Sequence, residues 1–200
     1  MSEVAERFRK LAAGFTARVD AVPEDKWSAQ SPCDGWTARD VVEHMIGNCK
    51  TFVGFAGIEI PDKPLDNLPL AQIPGDQISG DQISGDQISG EWKQAADSVQ
   101  AALDDEAVAT KEFQGYAGPT NLAQATERFL FTDLVVHAWD LARATGGDER
   151  LPIDEVGAAH EAMRQMGEML RSAGAARPEI EPEPGADAQT KLLNFMGRRV

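Results

Sequence analysis

Phe129-Leu-Phe-Thr-Asp-Leu-Val-Val-His-Ala-Trp-Asp-Leu-Ala-Arg143 is the segment on which the reading of this chain turns. On a helical wheel at about 100° per residue, with Asp133 at zero, His137 falls at roughly 40° and Asp140 at roughly 340°. Leu122, Phe129, Leu130, Val136 and Leu141 share that half of the wheel, and Phe131, Val135 and Trp139 cover much of the other. A helix that is apolar nearly all round belongs in the centre of a fold. Yet two carboxylates and a histidine share one of its faces. A buried carboxylate is costly unless it is paired or meets a cation.

Working outward, the neighbouring segments are helical too. Val4, Phe8, Leu11, Phe15 and Val19 recur at spacings of three and four over residues 3–22, the mark of an amphipathic helix. Thr37 and Asp40 stand as a capping box, with Trp36 and Val41 at the positions of a hydrophobic staple. The stripe Val41, Met45, Cys49, Phe52 and Phe55 then carries a helix to about residue 56. Helical patterning resumes at Glu91-Trp92 and runs to about 104. The long central helix spans about 121–145 and closes at Gly146-Gly147. A further helix covers about 153–173. Pro178 to Gly185 is extended, and Leu192, Leu193 and Phe195 dock the end of the chain on the body. No strand pattern stands out. The pattern predicts an all-α helical bundle in a single domain, 1–200.

Residues 57–90 break the pattern. Over 57–91 there are seven acidic residues and one lysine, and Gly-Asp-Gln-Ile-Ser occurs in tandem at 75–79, 80–84 and 85–89. Three such short copies cannot bury a core of their own, so the segment reads as a long acidic loop lengthened by duplication. Loop closure cost varies slowly with length. Replacing 75–89 by a glycine-serine linker is therefore expected to leave the melting temperature nearly unchanged.

Composition excludes several classes of function. The chain has 200 residues, 42% hydrophobic and 26% charged, and a net charge of −14. That charge disfavours nucleic-acid binding and docking on an anionic membrane. No apolar run is long enough to span a bilayer. Cys33 and Cys49 form no CxxC pair, which fits reduced thiols and a cytoplasmic location.

Asp133 and His137 are one turn apart, close enough to meet one ion. The spacing equally suits a plain buried ion pair. If the pair holds a metal, a third ligand comes from another helix, and the remaining histidines are His44, at the edge of the second helix's core stripe, and His160, among polar neighbours. Cys33 precedes an Asp-Gly turn near a helix start, where the dipole would activate a thiol. Packing beneath Trp36 is the favoured reading. Cys49, Trp36 and Trp139 read as packing residues.

Taken together, Trp27, Ser31-Pro-Cys-Asp-Gly-Trp-Thr37, Val41-Val-Glu-His44, Asp133-Leu-Val-Val-His137 through Gly146, and Leu192-Leu-Asn-Phe-Met-Gly-Arg198 resemble the metal-binding domain family of mycothiol-dependent maleylpyruvate isomerase, within the DinB-like superfamily. The resemblance implies a DinB-like up-and-down four-helix bundle with extra short helices. It implies a divalent metal, zinc, with nickel or iron as alternatives, held by His44, Asp133 and His137. Asp133 stands where the isomerase has glutamate. Two histidines and one carboxylate leave a position open, as catalytic zinc sites do. Asp140 is then expected to orient His137 or to ligate. The implied chemistry is a thiol-dependent transfer or isomerisation, with mycothiol as thiol cosubstrate, a small electrophile as substrate, and a monomer or homodimer as the working unit. The alternative is a non-enzymatic structural or regulatory protein, with or without metal.

Overall fold

Each of the first four helices begins where a short polar side chain caps a free backbone N–H. Ser2 caps α1 (Glu3–Asp20), Thr37 caps α2 (Ala38–Phe55), Ser84 caps α3 (Gly85–Asp104), and Asp105 caps the single turn α4 (Glu106–Ala109). The Thr37–Asp40 capping box forms in full, with Thr37 N donating to Asp40 Oδ2 at 2.7 Å. This computed structural model describes residues 2–58, 84–115, 118–172 and 177–200.

After α4 a small antiparallel hairpin pairs β1 (Phe113–Gly115) with β2 (Gly118–Thr120). It is the one sheet among the described residues, and it corrects the expectation of no strands. Three-residue strands containing two glycines and a proline carry too little alternation to be legible. The long central helix comes in pieces: α5 (Leu122–Ala125), a π-helical turn over Thr126–Leu130, and α6 (Phe131–Thr145). Gly146 closes it in the left-handed region at φ 75°. Then follow α7 (Ile153–Ser172) and α8 (Ala188–Phe195).

The all-α architecture is as expected, with α1, α2, α3 and α6 as its four-helix bundle. α6 packs on α1 and α2, and α3 packs on the same two helices from the other side. The side-chain contacts give the directions. Arg7 lies over Phe131 while Arg18 reaches Arg150, so α1 and α6 run parallel. Gln100 meets Ala5 while Trp92 meets Thr16, so α3 runs against α1. His44 faces His137 while Phe52 faces Phe129, so α2 runs against α6. Hence α2 and α3 are parallel neighbours, which refines the up-and-down description. The end of α2 and the start of α3 are separated by about 27 Å, the length of an 18-residue helix. A long α2–α3 connection is thus a topological requirement.

That connection is shorter at its far end than the expected 57–90. The third Gly-Asp-Gln-Ile-Ser copy is the first turn and a half of α3. Ser84 Oγ accepts from Gln87 N, Ile88 is buried at 1% exposure, and Ser89 Oγ donates to Asp20 at 2.6 Å. A Cβ on Gly85 would strike the Trp27 ring. Tertiary partners that copy three meets on α1 and at Trp27 make it helix. The linker replacement of 75–89 would therefore remove a buried isoleucine and a helix start, and cannot be neutral. The first copy, and the second up to residue 83, lie outside the described residues.

No helix among the described residues is long and apolar enough to cross a membrane. The core runs continuously from α1 through α7, and the fully buried Leu192 joins it from α8.

Candidate functional site

Antiparallel packing of α2 on α6 brings the polar face of the central helix against His44 and Asn48. His44 and Asn48 are four residues apart, as are Asp133 and His137, so each pair lies along one helix face. Asn48 stands between the chains of contacts. Its Nδ2 donates to His44 Nε2 at 3.0 Å and to Asp133 Oδ2 at 2.9 Å. The imidazoles of His44 and His137 meet edge to face, with centroids 4.9 Å apart. Trp36 covers both rings, at 4.8 Å from His44 and 6.0 Å from His137. His160 is elsewhere, against Phe195 on the α7–α8 side.

A second cluster lies on the other side of His137. Asp140 Oδ2 is 3.0 Å from His137 Nδ1, 2.8 Å from an Arg198 guanidinium nitrogen and 3.3 Å from Cys33 Sγ. Arg198 Nε reaches Asp140 Oδ1 at 3.3 Å, and the guanidinium lies 3.4 Å from the Cys33 sulfur. Asp140 is fully buried and Arg198 is 8% exposed. Arg198 enters from the far end of the chain because Gly197 turns the backbone at φ 76°. Its own N–H and the Asn194 side chain fix that turn, bonding Leu193 O and Arg198 O. Arg177 then ties this terminal stretch to the 31–36 turn, donating to Pro32 O at 3.1 Å and pairing with Asp34.

The two clusters differ in charge. Burial alone would raise the Asp140 carboxyl, but the Arg198 cation and the His137 hydrogen bond hold it well below the usual carboxylate range. Burial disfavours the His137 imidazolium, yet the Asp140 and Cys33 contacts outweigh that and raise its pKa to about 10. His44 goes the other way. Burial and the nearby His137 and Arg198 charges push it well below 6.5, so it is neutral. Asp133 is raised above the ordinary carboxylate value by burial, with its direct hydrogen bond coming from the neutral Asn48 amide. Burial and Asp133 together lift the Cys49 thiol to about 12, which fits an inert core cysteine.

Among the described residues, the one tight group of potential metal-binding side chains is Cys33, His137 and Asp140, with donor atoms within 4.8 Å of one another. His44, Asp133 and His137 do not form so tight a group. They are joined through Asn48 and through ring contact. Sequence reasoning missed four participants. Asn48 was legible as a polar residue one turn from His44 on a core stripe. Trp36 and Cys33 were assigned to packing, and Arg198 gave no signal by spacing.

The comparisons with known proteins fall on this geometry. The family model for the mycothiol maleylpyruvate isomerase N-terminal domain matches residues 8–142. That span takes in Cys33, Trp36, His44, Asn48, Asp133, His137 and Asp140 and stops short of Arg198. Two uncharacterized proteins of Mycobacterium tuberculosis, from strains ATCC 25618 / H37Rv and CDC 1551 / Oshkosh, are similar over nearly their whole length. Each is 26% identical over 200 residues, covering 93% of this chain and 92% of its own. No solved structure matches the chain significantly. With most of the four-helix bundle, its paired histidines and two thirds of its length inside the match, this chain belongs to the mycothiol maleylpyruvate isomerase N-terminal domain family.

Proposed function

We propose that His44, Asp133 and His137 hold a divalent metal, zinc by the chemistry of the donor set, and that the protein uses it to activate a small thiol, mycothiol in its family setting, against an electrophile. The observation that carries this reading is the state of Asp133. Its carboxylate is desolvated beside two imidazoles, and its direct partner is a neutral amide. A second pointer is Asn48 Oδ1, an acceptor buried without a hydrogen-bond partner. Lone pairs of His44 Nε2 and Asp133 Oδ2 converge on the positively polarised Asn48 Nδ2, so the pocket between them already favours positive charge. The rival donor set, Cys33, His137 and Asp140, already has its cation in Arg198.

A divalent cation here supplies a Lewis acid that lowers the pKa of a small thiol, making a nucleophile available at neutral pH. The chain's own residues do the rest. Asp140 accepts from His137 Nδ1 and so fixes which imidazole nitrogen faces the centre. Because His137 favours the protonated form, metal uptake releases a proton and weakens as pH falls. Trp36 covers both rings and restricts water.

Elemental analysis of protein purified without added metal or nickel affinity resin tests the reading. About one zinc per chain is expected in the wild type and none in His137→Ala, with the helical spectrum retained. A metal-free wild type that fails to bind added zinc would sink it. The second reading, a structural network without metal, is favoured by the Asn48 bridge itself, which already links His44 to Asp133.

A further inference from the structure

One helical turn below this centre, where α2 meets the hairpin, α5 and the π-helical turn, lies a cavity of about 190 Å³. Its walls are Phe52, Phe55, Phe113 and Phe129, with Phe55 and Phe113 stacked at 5.5 Å. The hairpin glycines form one side, and a Cβ on Gly118 would meet nothing within 4 Å. Arg128 and Gln124, both exposed, stand at the rim. The π-helical turn carries both Arg128 and Phe129 into this lining, and such turns recur at functional sites.

Arg128 is the informative residue. Its Nε contacts Met166 Sδ at 3.2 Å, and its guanidinium lies over the Phe129 ring. Among the described residues no carboxylate pairs with it, although the chain carries 33 acidic side chains. An aromatic-walled cavity whose rim cation is paired with no described carboxylate selects a molecule that is flat and apolar at one end and anionic at the other. The volume sets the size, since a cavity of about 150 Å³ accommodates benzene.

We propose that this cavity binds a small aromatic carboxylate, one ring with a short acid-bearing chain, with the ring among the phenylalanines and the carboxylate on Arg128. Phe52 and Phe129 are four residues from Asn48 and Asp133 respectively, about 6 Å along the helix axis. That the ligand is the substrate of the neighbouring centre rests on the proposed function; the binding itself does not.

The test is titration of the full-length protein with 3-phenylpropionate and, separately, the neutral 3-phenylpropanol, followed by amide shifts in NMR spectra. Saturable shifts at millimolar ligand, centred on Gly115, Gly118 and Arg128, are expected. Arg128→Ala should weaken the acid by about fivefold, as an exposed ion pair allows, and leave the alcohol unchanged. Ala125→Phe, which fills the cavity from its wall, should block both ligands. Arg128 is exposed, so its variant remains informative even if the filled cavity misfolds. Absence of saturable shifts at these residues, or equal weakening of acid and alcohol by Arg128→Ala, overturns the proposal. Chelator-treated protein should bind the acid equally well, because none of the proposed metal ligands lines the cavity, so failure of the metal centre leaves this test intact.

Discussion

His137 stands between two clusters that solve the problem of buried charge differently. On one side, Asp140 is matched by Arg198, His137 and Cys33, so its carboxylate is kept ionised by neighbours the chain itself supplies. On the other, Asp133 has the Asn48 amide and the field of more distant cations. The first cluster is complete as a piece of protein. The second holds a carboxylate that burial disfavours, and that difference is what supports the proposed division, structure for one and ligand binding for the other.

The largest expected effect comes from breaking the complete cluster. Arg198→Ala strands the Asp140 carboxylate in the core. Losing one partner of a buried pair costs about 3–5 kcal/mol, and here the lower end is expected because His137 remains. Urea unfolding at neutral pH reads this directly. A loss below about 1 kcal/mol would mean the pair is effectively solvated, and the contrast between the clusters would collapse.

Relieving the incomplete cluster should have the opposite sign. In chelator-treated protein, Asp133→Asn removes a charge that burial disfavours and keeps an oxygen to accept from Asn48. A gain in stability at neutral pH is expected, because burial disfavours the ionised carboxylate in the fold and the amide carries no charge. The same variant should fail to retain zinc. A clear loss of stability would show that Asp133 is already adequately compensated.

The pH dependence separates the two carboxylates further. Asp140 has a depressed folded-state pKa, so its contribution is present above the unfolded value of 3.8 and is lost as pH falls through the folded one. Asp133 has a raised folded-state pKa, so its contribution is full below 3.8 and is lost as pH rises through the folded value. The advantage of metal-free Asp133→Asn over wild type should therefore shrink as pH is lowered toward 3.8. An advantage that stays constant would place its origin outside the titration of Asp133.

How much of this was legible in sequence follows from the range of each interaction. The caps at Thr37 and Gly146, the helix faces and the one-turn spacing of Asp133 and His137 are local, and one periodic stretch suffices to find them. Asp140 lies one turn past His137 and could be placed beside it for the same reason. Arg198 meets Asp140 across 58 residues and Cys33 across 165, contacts that only the docked α8 creates. The third Gly-Asp-Gln-Ile-Ser copy is identical to the two before it, so local sequence could not distinguish its state. Trp27 and Asp20 decide it from a distance.

The smallest expected effect falls on Cys33, and it is the one that discriminates between donor sets. Cys33 is partly exposed, and its sulfur is a weak hydrogen-bonding group beside Asp140 and Arg198. Cys33→Ser keeps a donor and an acceptor at nearly the same place. Removing a modest hydrogen bond costs about 1 kcal/mol, so replacing it should cost less than that. If the metal sits on His44, Asp133 and His137, zinc content should be unchanged in Cys33→Ser and absent in His44→Ala. Thiolate is a far better zinc ligand than a serine hydroxyl. The reverse pattern, zinc lost from Cys33→Ser and kept in His44→Ala, would therefore move the centre to Cys33, His137 and Asp140. Arg198 would then have to give up its hold on Asp140 when metal binds, and the complete cluster would prove to be the one that changes.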